Sequence, residues 1–134
     1  METIRLEYKG ELRVYAEHVK SGVTTHTDAP VDNQGKGESF SPTDLLCTAL
    51  GTCMLTIMGI SANTHNFNID GTKVRVTKIM KSDPRRVGEV IVEFDMPAIS
   101  YSDKQKEILR LAAENCPVAK SLHSELKQTI KFNY

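Results

Sequence analysis

The sequence predicts an α+β fold in which two antiparallel sheet regions surround one long central helix. Three observations predict it. Apolar and polar residues alternate through the first quarter of the chain, an uncharged stretch from Leu45 to Ala62 follows a helix-start signature, and a second alternating block runs to Asp95. Two short helical patterns and a closing strand complete the chain. At 134 residues it has the length of a single domain, 1–134, large enough to bury a core without disulfide staples.

The first strands are Ile4, Leu6 and Tyr8 alternating with Arg5 and Glu7, then Leu12, Val14 and Ala16 alternating with Arg13, Tyr15 and Glu17. Lys9 and Gly10 turn the chain between them, which makes a hairpin with one buried face. Ser21 and Gly22 mark a second turn, and Val23 to Thr27 forms a third strand. Asp28 to Ser39, rich in Asp, Asn, Gly and Pro, is a loop of the length that often carries function.

Ser41, Pro42, Thr43 and Asp44 then open a helix: an N-cap serine, a proline at the first helical position and an acid that complements the helix dipole. A helix from Pro42 to about Asn63 spans roughly 33 Å at 1.5 Å per residue. Its apolar residues run nearly all the way round, so it should be buried on most sides, and a partner subunit would help to cover it. The eighteen uncharged residues from Leu45 to Ala62 reach the lower limit of a membrane span. Thr48, Gly51, Thr52, Thr56, Gly59 and Ser61 dilute them and no basic residue closely flanks them, which favours a buried helix and no membrane.

Further strands are expected at Phe67 to Asp70, Lys73 to Met80 and Val87 to Asp95, with Ser82, Asp83 and Pro84 as a turn. Ser102 and Gln105 form a capping-box pattern that opens a helix through Glu114, with Ile108, Leu109, Leu111 and Ala112 on its apolar side. Cys116 and Pro117 begin another helix, with Val118, Leu122 and Leu126 at helical spacing, and Ile130, Phe132 and Tyr134 suggest a closing strand.

Composition excludes several function classes. Seventeen basic residues balance seventeen acidic ones without a run of like charge, which argues against nucleic acid. The start, Met1, Glu2, Thr3, Ile4 and Arg5, lacks the layout of a signal peptide. Three cysteines, an odd number, do not suit a secreted disulfide scaffold, so the expected compartment is the reducing cytoplasm.

The cysteines carry the chemistry. Cys116 precedes an N1 proline at a helix start, a setting that favours the thiolate. Cys53 lies about three turns into its helix among Ala49, Leu50, Thr56 and Ile57, none of which can deprotonate a thiol, so an activating group must come from another element or subunit. From pattern alone, a redox pair and two buried core thiols are both open. A metal site using Cys53, Cys116 and His18 has no ligands at helix-compatible local spacing, and neither a metal nor a cofactor is expected.

The runs SFSPTDLLCTALGTCM, Ser39 to Met54, and ENCPVAKSL, Glu114 to Leu122, resemble the two cysteine motifs of the OsmC/Ohr family of osmotically inducible and organic hydroperoxide resistance proteins. The order of elements agrees along the whole chain. The resemblance implies an OsmC-like fold in an intertwined homodimer, with long helices packed centrally and active sites at the interface. It implies that Cys53 is the peroxidatic residue and Cys116 the resolving one, in a thiol peroxidase acting on organic hydroperoxides. A dithiol reductant, typically a lipoyl protein in this family, would restore the pair. Cys47 has no counterpart in the scheme; six residues before Cys53 it points about 120° away and reads as core filler.

Two departures from the family pattern stand out. Hydroperoxide-reducing members carry a glutamate ten residues before the peroxidatic cysteine, paired with an arginine from the N-terminal strands; here that position is Thr43, with Asp44 beside it. No arginine lies between Arg13 and Arg75, and Lys20 is the nearest substitute, without the bidentate guanidinium fork. His18, His26, Glu38, Arg85 and Arg86 are the other candidates for activating groups. An alternative function is a non-catalytic OsmC-like dimer that holds an apolar small molecule in its interface cleft.

Overall fold

A computed structural model describes all 134 residues, Met1 to Tyr134. It is an α+β structure with two three-stranded sheets, and it divides into two compact units, Met1–Leu46 and Cys47–Tyr134.

In the first unit, β1 (Ile4–Gly10), β2 (Arg13–His18) and β3 (Thr24–Asp28) form an antiparallel meander. The first turn is wider than the sequence suggests. Gly10, Glu11 and Leu12 all have positive φ, and the register shifts between Tyr8 and Gly10, so Leu12 belongs to the turn rather than to β2. The hairpin does not bury its apolar face within the chain: Ile4, Leu6 and Tyr8 are 46%, 68% and 62% exposed. Alternation identifies which face is apolar; nothing in this unit covers it.

The loop after β3 folds back against its own sheet. Asp28 N–H donates to the Phe40 carbonyl (3.1 Å), Ser39 Oγ donates to the His26 carbonyl (3.0 Å), and a short 3-10 turn occupies Val31–Asn33. Then α1 begins at Pro42 and runs to Thr64. Its start is a reciprocal cap: Ser41 N–H donates to the Asp44 carboxylate (2.9 Å), and Asp44 N–H donates to Ser41 Oγ (3.0 Å). Ser41 Oγ thereby satisfies an amide that the first turn would otherwise leave orphaned.

In the second unit, Cys47, Leu50, Gly51, Met54, Met58 and Ala62 form one buried stripe along α1. β4 (Lys73–Lys81) and β5 (Arg86–Asp95) pair antiparallel, and β6 (Lys127–Asn133) joins β5 in parallel. The second sheet is therefore mixed. A parallel partner needs a crossover, which α2 (Asp103–Glu114) and α3 (Pro117–Ser121) provide. β5 is the central strand: Val90, Val92 and Phe94 are fully buried and alternate with Glu89, Ile91 and Glu93. They share a core with Leu50, Met54, Met58, Leu109, Ala113 and Cys116. Burial of each large side chain stabilises the fold by about 1.5–3 kcal/mol. At Gly51, α1 packs closely on β4: a Cβ there would sit 3.0 Å from Val76 Cγ2.

Three sequence expectations require correction in this unit. Phe67 to Asp70 is not a strand, because Asn66 and Gly71 take positive φ and Asn68 Oδ1 accepts from Asp70 N–H, an Asx turn that breaks the extended chain. α3 ends at Ser121, since Leu122 is extended and His123 Nδ1 accepts from Glu125 N–H. The helical spacing of Leu122 and Leu126 is coincidental, and both pack on the core from irregular chain.

Finally, the single chain does not by itself bury α1 on most sides. Leu46, Thr52, Thr56 and Ile60 are exposed, and only 33% of its most apolar window is buried. Length and composition alone would let this helix cross a bilayer, but its Leu and Met stripe belongs to the protein core. Thr52 Oγ1 donates to the carbonyls of Thr48 and Ala49, Thr56 Oγ1 to that of Thr52, and Thr64 Oγ1 to that of Ile60.

Candidate active site

Cys116 is the N-cap of α3, with extended backbone (φ −66°, ψ 152°) and Pro117 at the first helical position, as the sequence predicts. Its sulfur accepts from Ala119 N–H at 3.4 Å. The expectation that this setting favours the thiolate is not met. Cys116 has 0% exposure, and burial raises its thiol pKa above the ordinary value despite the opposing pull of the Ala119 and Val118 amides. Desolvation removes more from the anion than two amides return. The neighbouring Cys53 raises it further.

The fold thus brings together two thiols that lie 63 positions apart in the chain. Cys53 is carried by α1 and Cys116 by the cap of α3, and both are free thiols. Cys53 is the more accessible, half-buried where Cys116 is fully enclosed. Cys47 sits in the core cluster at 3% exposure, the position anticipated for a core-filling side chain.

The other candidate residues are accounted for mainly by local structure. His18 Nδ1 lies 2.6 Å from Ser21 Oγ in an exposed turn that also holds Lys20. Thr43 Oγ1 lies 3.2 Å from Ser41 Oγ, and Asp44 is committed to the α1 cap. Glu38 is exposed, with a carboxylate 3.7 Å from Arg13. Arg85 is in the exposed turn before β5, and Arg86 donates to the carbonyls of Ser82 and Pro84. Cys53, Cys116, Arg85 and Arg86 belong to the second compact unit, and His18, Lys20, His26, Glu38, Thr43 and Asp44 to the first. No group of three His, Cys, Asp or Glu side chains is arranged to hold a metal ion.

One pair escaped the sequence reading. Arg13 and Asp28 face each other across β2 and β3, and the guanidinium donates from Nε (2.7 Å) and Nη2 (2.8 Å) to the two carboxylate oxygens. Asp28 is 1% exposed and also accepts from Glu38 N–H. Hydrogen bonding to Arg13 holds its carboxyl below the ordinary aspartate pKa, and Arg13 is raised in turn. This bidentate pair pins the loop leading to α1 onto the sheet. The signal was available in the register: extending the third strand by one residue places Asp28 opposite Arg13. Nearby, Tyr8, Leu12, Val14, Thr27, Pro30 and Pro42 line an apolar pocket of about 260 Å³ within the first unit.

Comparison with known proteins agrees with this architecture. No curated protein matches the chain. Among solved structures, a protein of Psychrobacter arcticus 273-4 assigned to the osmotic stress induced and detoxification response is 48% identical, with a TM-score of 0.95 over 99% of this chain and 96% of that one. The organic hydroperoxide resistance protein OsmC of Legionella pneumophila shares the fold at 11% identity, with a TM-score of 0.79 over 98% of this chain and 95% of that one. The organic hydroperoxide resistance protein OhrB of Bacillus subtilis does so at 15% identity, with a TM-score of 0.73 over 97% and 96%. The model of the OsmC-like protein family matches residues 35–131, a span that contains Cys53 and Cys116, and the chain belongs to that family.

Proposed function

We propose that this protein is a cysteine-based thiol peroxidase that reduces organic hydroperoxides. The observation that carries the reading is the contact between Cys53 and Cys116, two thiols on separate elements, one accessible and one enclosed. In the proposed cycle the Cys53 thiolate attacks the peroxide O–O bond, the alcohol leaves with a proton, and Cys53 becomes a sulfenic acid. Cys116 then gives up its proton and attacks that sulfur as the thiolate, the hydroxyl group takes up a proton and leaves as water, and a Cys53–Cys116 disulfide results. A dithiol reductant, as in a lipoyl protein, returns two electrons and two protons.

The enclosed, neutral state of Cys116 suits this division of labour. A thiol held protonated does not compete for peroxide, because the thiolate is the nucleophile. The exposed apolar residues Ile4, Leu6 and Tyr8, together with Leu46 and Ile60 of α1, support assembly as a homodimer, and the free thiols suit a reducing cytoplasm. Stopped-flow reaction of the reduced protein with cumene hydroperoxide tests the reading. Cys53→Ser is expected to lose the fast phase, and a variant as fast as wild type refutes the assignment.

The 260 Å³ pocket favours a second reading, a dimer that binds an apolar small molecule without transforming it. Co-purified ligand together with thiols inert to hydroperoxide would select that reading.

A further inference from the structure

We infer that the reducing dithiol attacks the sulfur of Cys53, and that Cys116 is the leaving group of the Cys53–Cys116 disulfide, departing toward the amide of Ala119. The inference rests on the disulfide of the proposed cycle and adds which of its two sulfurs the reductant meets.

Thiol–disulfide exchange needs in-line access to one sulfur, and the two differ sharply in access. Cys116 is 0% exposed, held in the core cluster between α2 and α3 and followed by the fixed backbone of Pro117. A reductant reaching it would have to open that core. Cys53 is partly open on α1, whereas Cys116 is fully enclosed by its own chain.

The departing sulfur is also provided for. Cys116 Sγ already accepts from Ala119 N–H at 3.4 Å, a donor aimed where negative charge develops as the S–S bond breaks. The step balances: the reductant thiolate forms a mixed disulfide with Cys53, and Cys116 leaves with the electron pair. The second thiol of the dithiol then attacks the reductant's own sulfur in the mixed disulfide. Cys53 is released as thiolate, and the reductant closes to a cyclic disulfide. Burial has a further effect. Cys116 takes up a proton after leaving, since its thiol pKa is raised, and a neutral thiol does not attack the mixed disulfide in return. The intermediate on Cys53 therefore lasts long enough for the second thiol to complete the reduction. With a monothiol it accumulates.

The test uses the full chain. Disulfide is formed with one equivalent of cumene hydroperoxide or, separately, with the general thiol oxidant diamide. β-Mercaptoethanol is then added, samples are quenched in acid at successive short times, and free thiols are alkylated before peptide mapping. The expected result is a mercaptoethanol adduct on Cys53 with Cys116 alkylated, in excess over the reverse species by about tenfold or more at the earliest times. An adduct mainly on Cys116 overturns the inference. If hydroperoxide fails to form the disulfide while diamide succeeds, the peroxidase reading fails and the site of attack is still read. If neither oxidant links Cys53 to Cys116, the inference fails with the contact on which it rests.

Discussion

Closing the Cys53–Cys116 disulfide should make the folded chain markedly harder to unfold. The two residues are 63 positions apart, so the bond closes a loop of about 64 residues in the unfolded ensemble. The chain-entropy relation then gives about 14 cal/mol/K, or about 4 kcal/mol at 25 °C. Native strain should subtract little, because the two thiols are already neighbours before oxidation. With a urea dependence of about 2 kcal/mol/M, the midpoint should rise by about 2 M. The assay compares reduced protein with protein oxidised by one equivalent of organic hydroperoxide, at one protein concentration because subunit association also stabilises. Peptide mapping must show Cys47 still free. A verified Cys53–Cys116 disulfide with an unchanged or lower midpoint would refute the contact geometry, since it would mean that the bond forms only by distorting the fold.

Two pH dependences follow from the other paired and enclosed groups. Asp28 is held below its ordinary pKa by Arg13, so the stability it contributes is complete above the unfolded value of about 3.9 and is lost as the pH falls through the lower folded value. Asp28→Asn should flatten that acid limb in urea titrations followed by circular dichroism, and an unchanged limb would remove the pair from the account. Cys116 has the opposite sign: its raised pKa gives a contribution that is complete below about pH 8.5 and lost as the pH rises toward the folded value. In Cys53→Ser, alkylation of Cys116 by iodoacetamide should stay slow at pH 8.5 and rise only in more alkaline solution. Fast modification near neutrality would show that the thiol is not enclosed.

What could be read from the sequence was what is local. The Ser41–Asp44 cap, the capping box at Ser102 and the proline after Cys116 each depend on residues within four positions, and the structure places all three as read. Pairing across elements was harder to read. Arg13 and Asp28 meet only through strand register, and a strand end misplaced by one residue concealed them. The parallel direction of β6 leaves no trace in its alternation, which is the same in either direction. At Cys116 the sequence specified the helix end but not the depth of burial, and burial decided the sign of the pKa shift. Only the family resemblance suggested that Cys53 and Cys116 would meet.

The threonines along α1 have a consequence for whatever covers that helix. Thr52, Thr56 and Thr64 direct their hydroxyls back to carbonyls one turn earlier, so their methyl groups remain to face outward beside Leu46 and Ile60. A face that reads as half polar in the sequence thus has these hydroxyl protons committed before anything docks on it. A covering surface need bring no acceptors to match these hydroxyls. Steric fit, rather than polar matching, would select the partner.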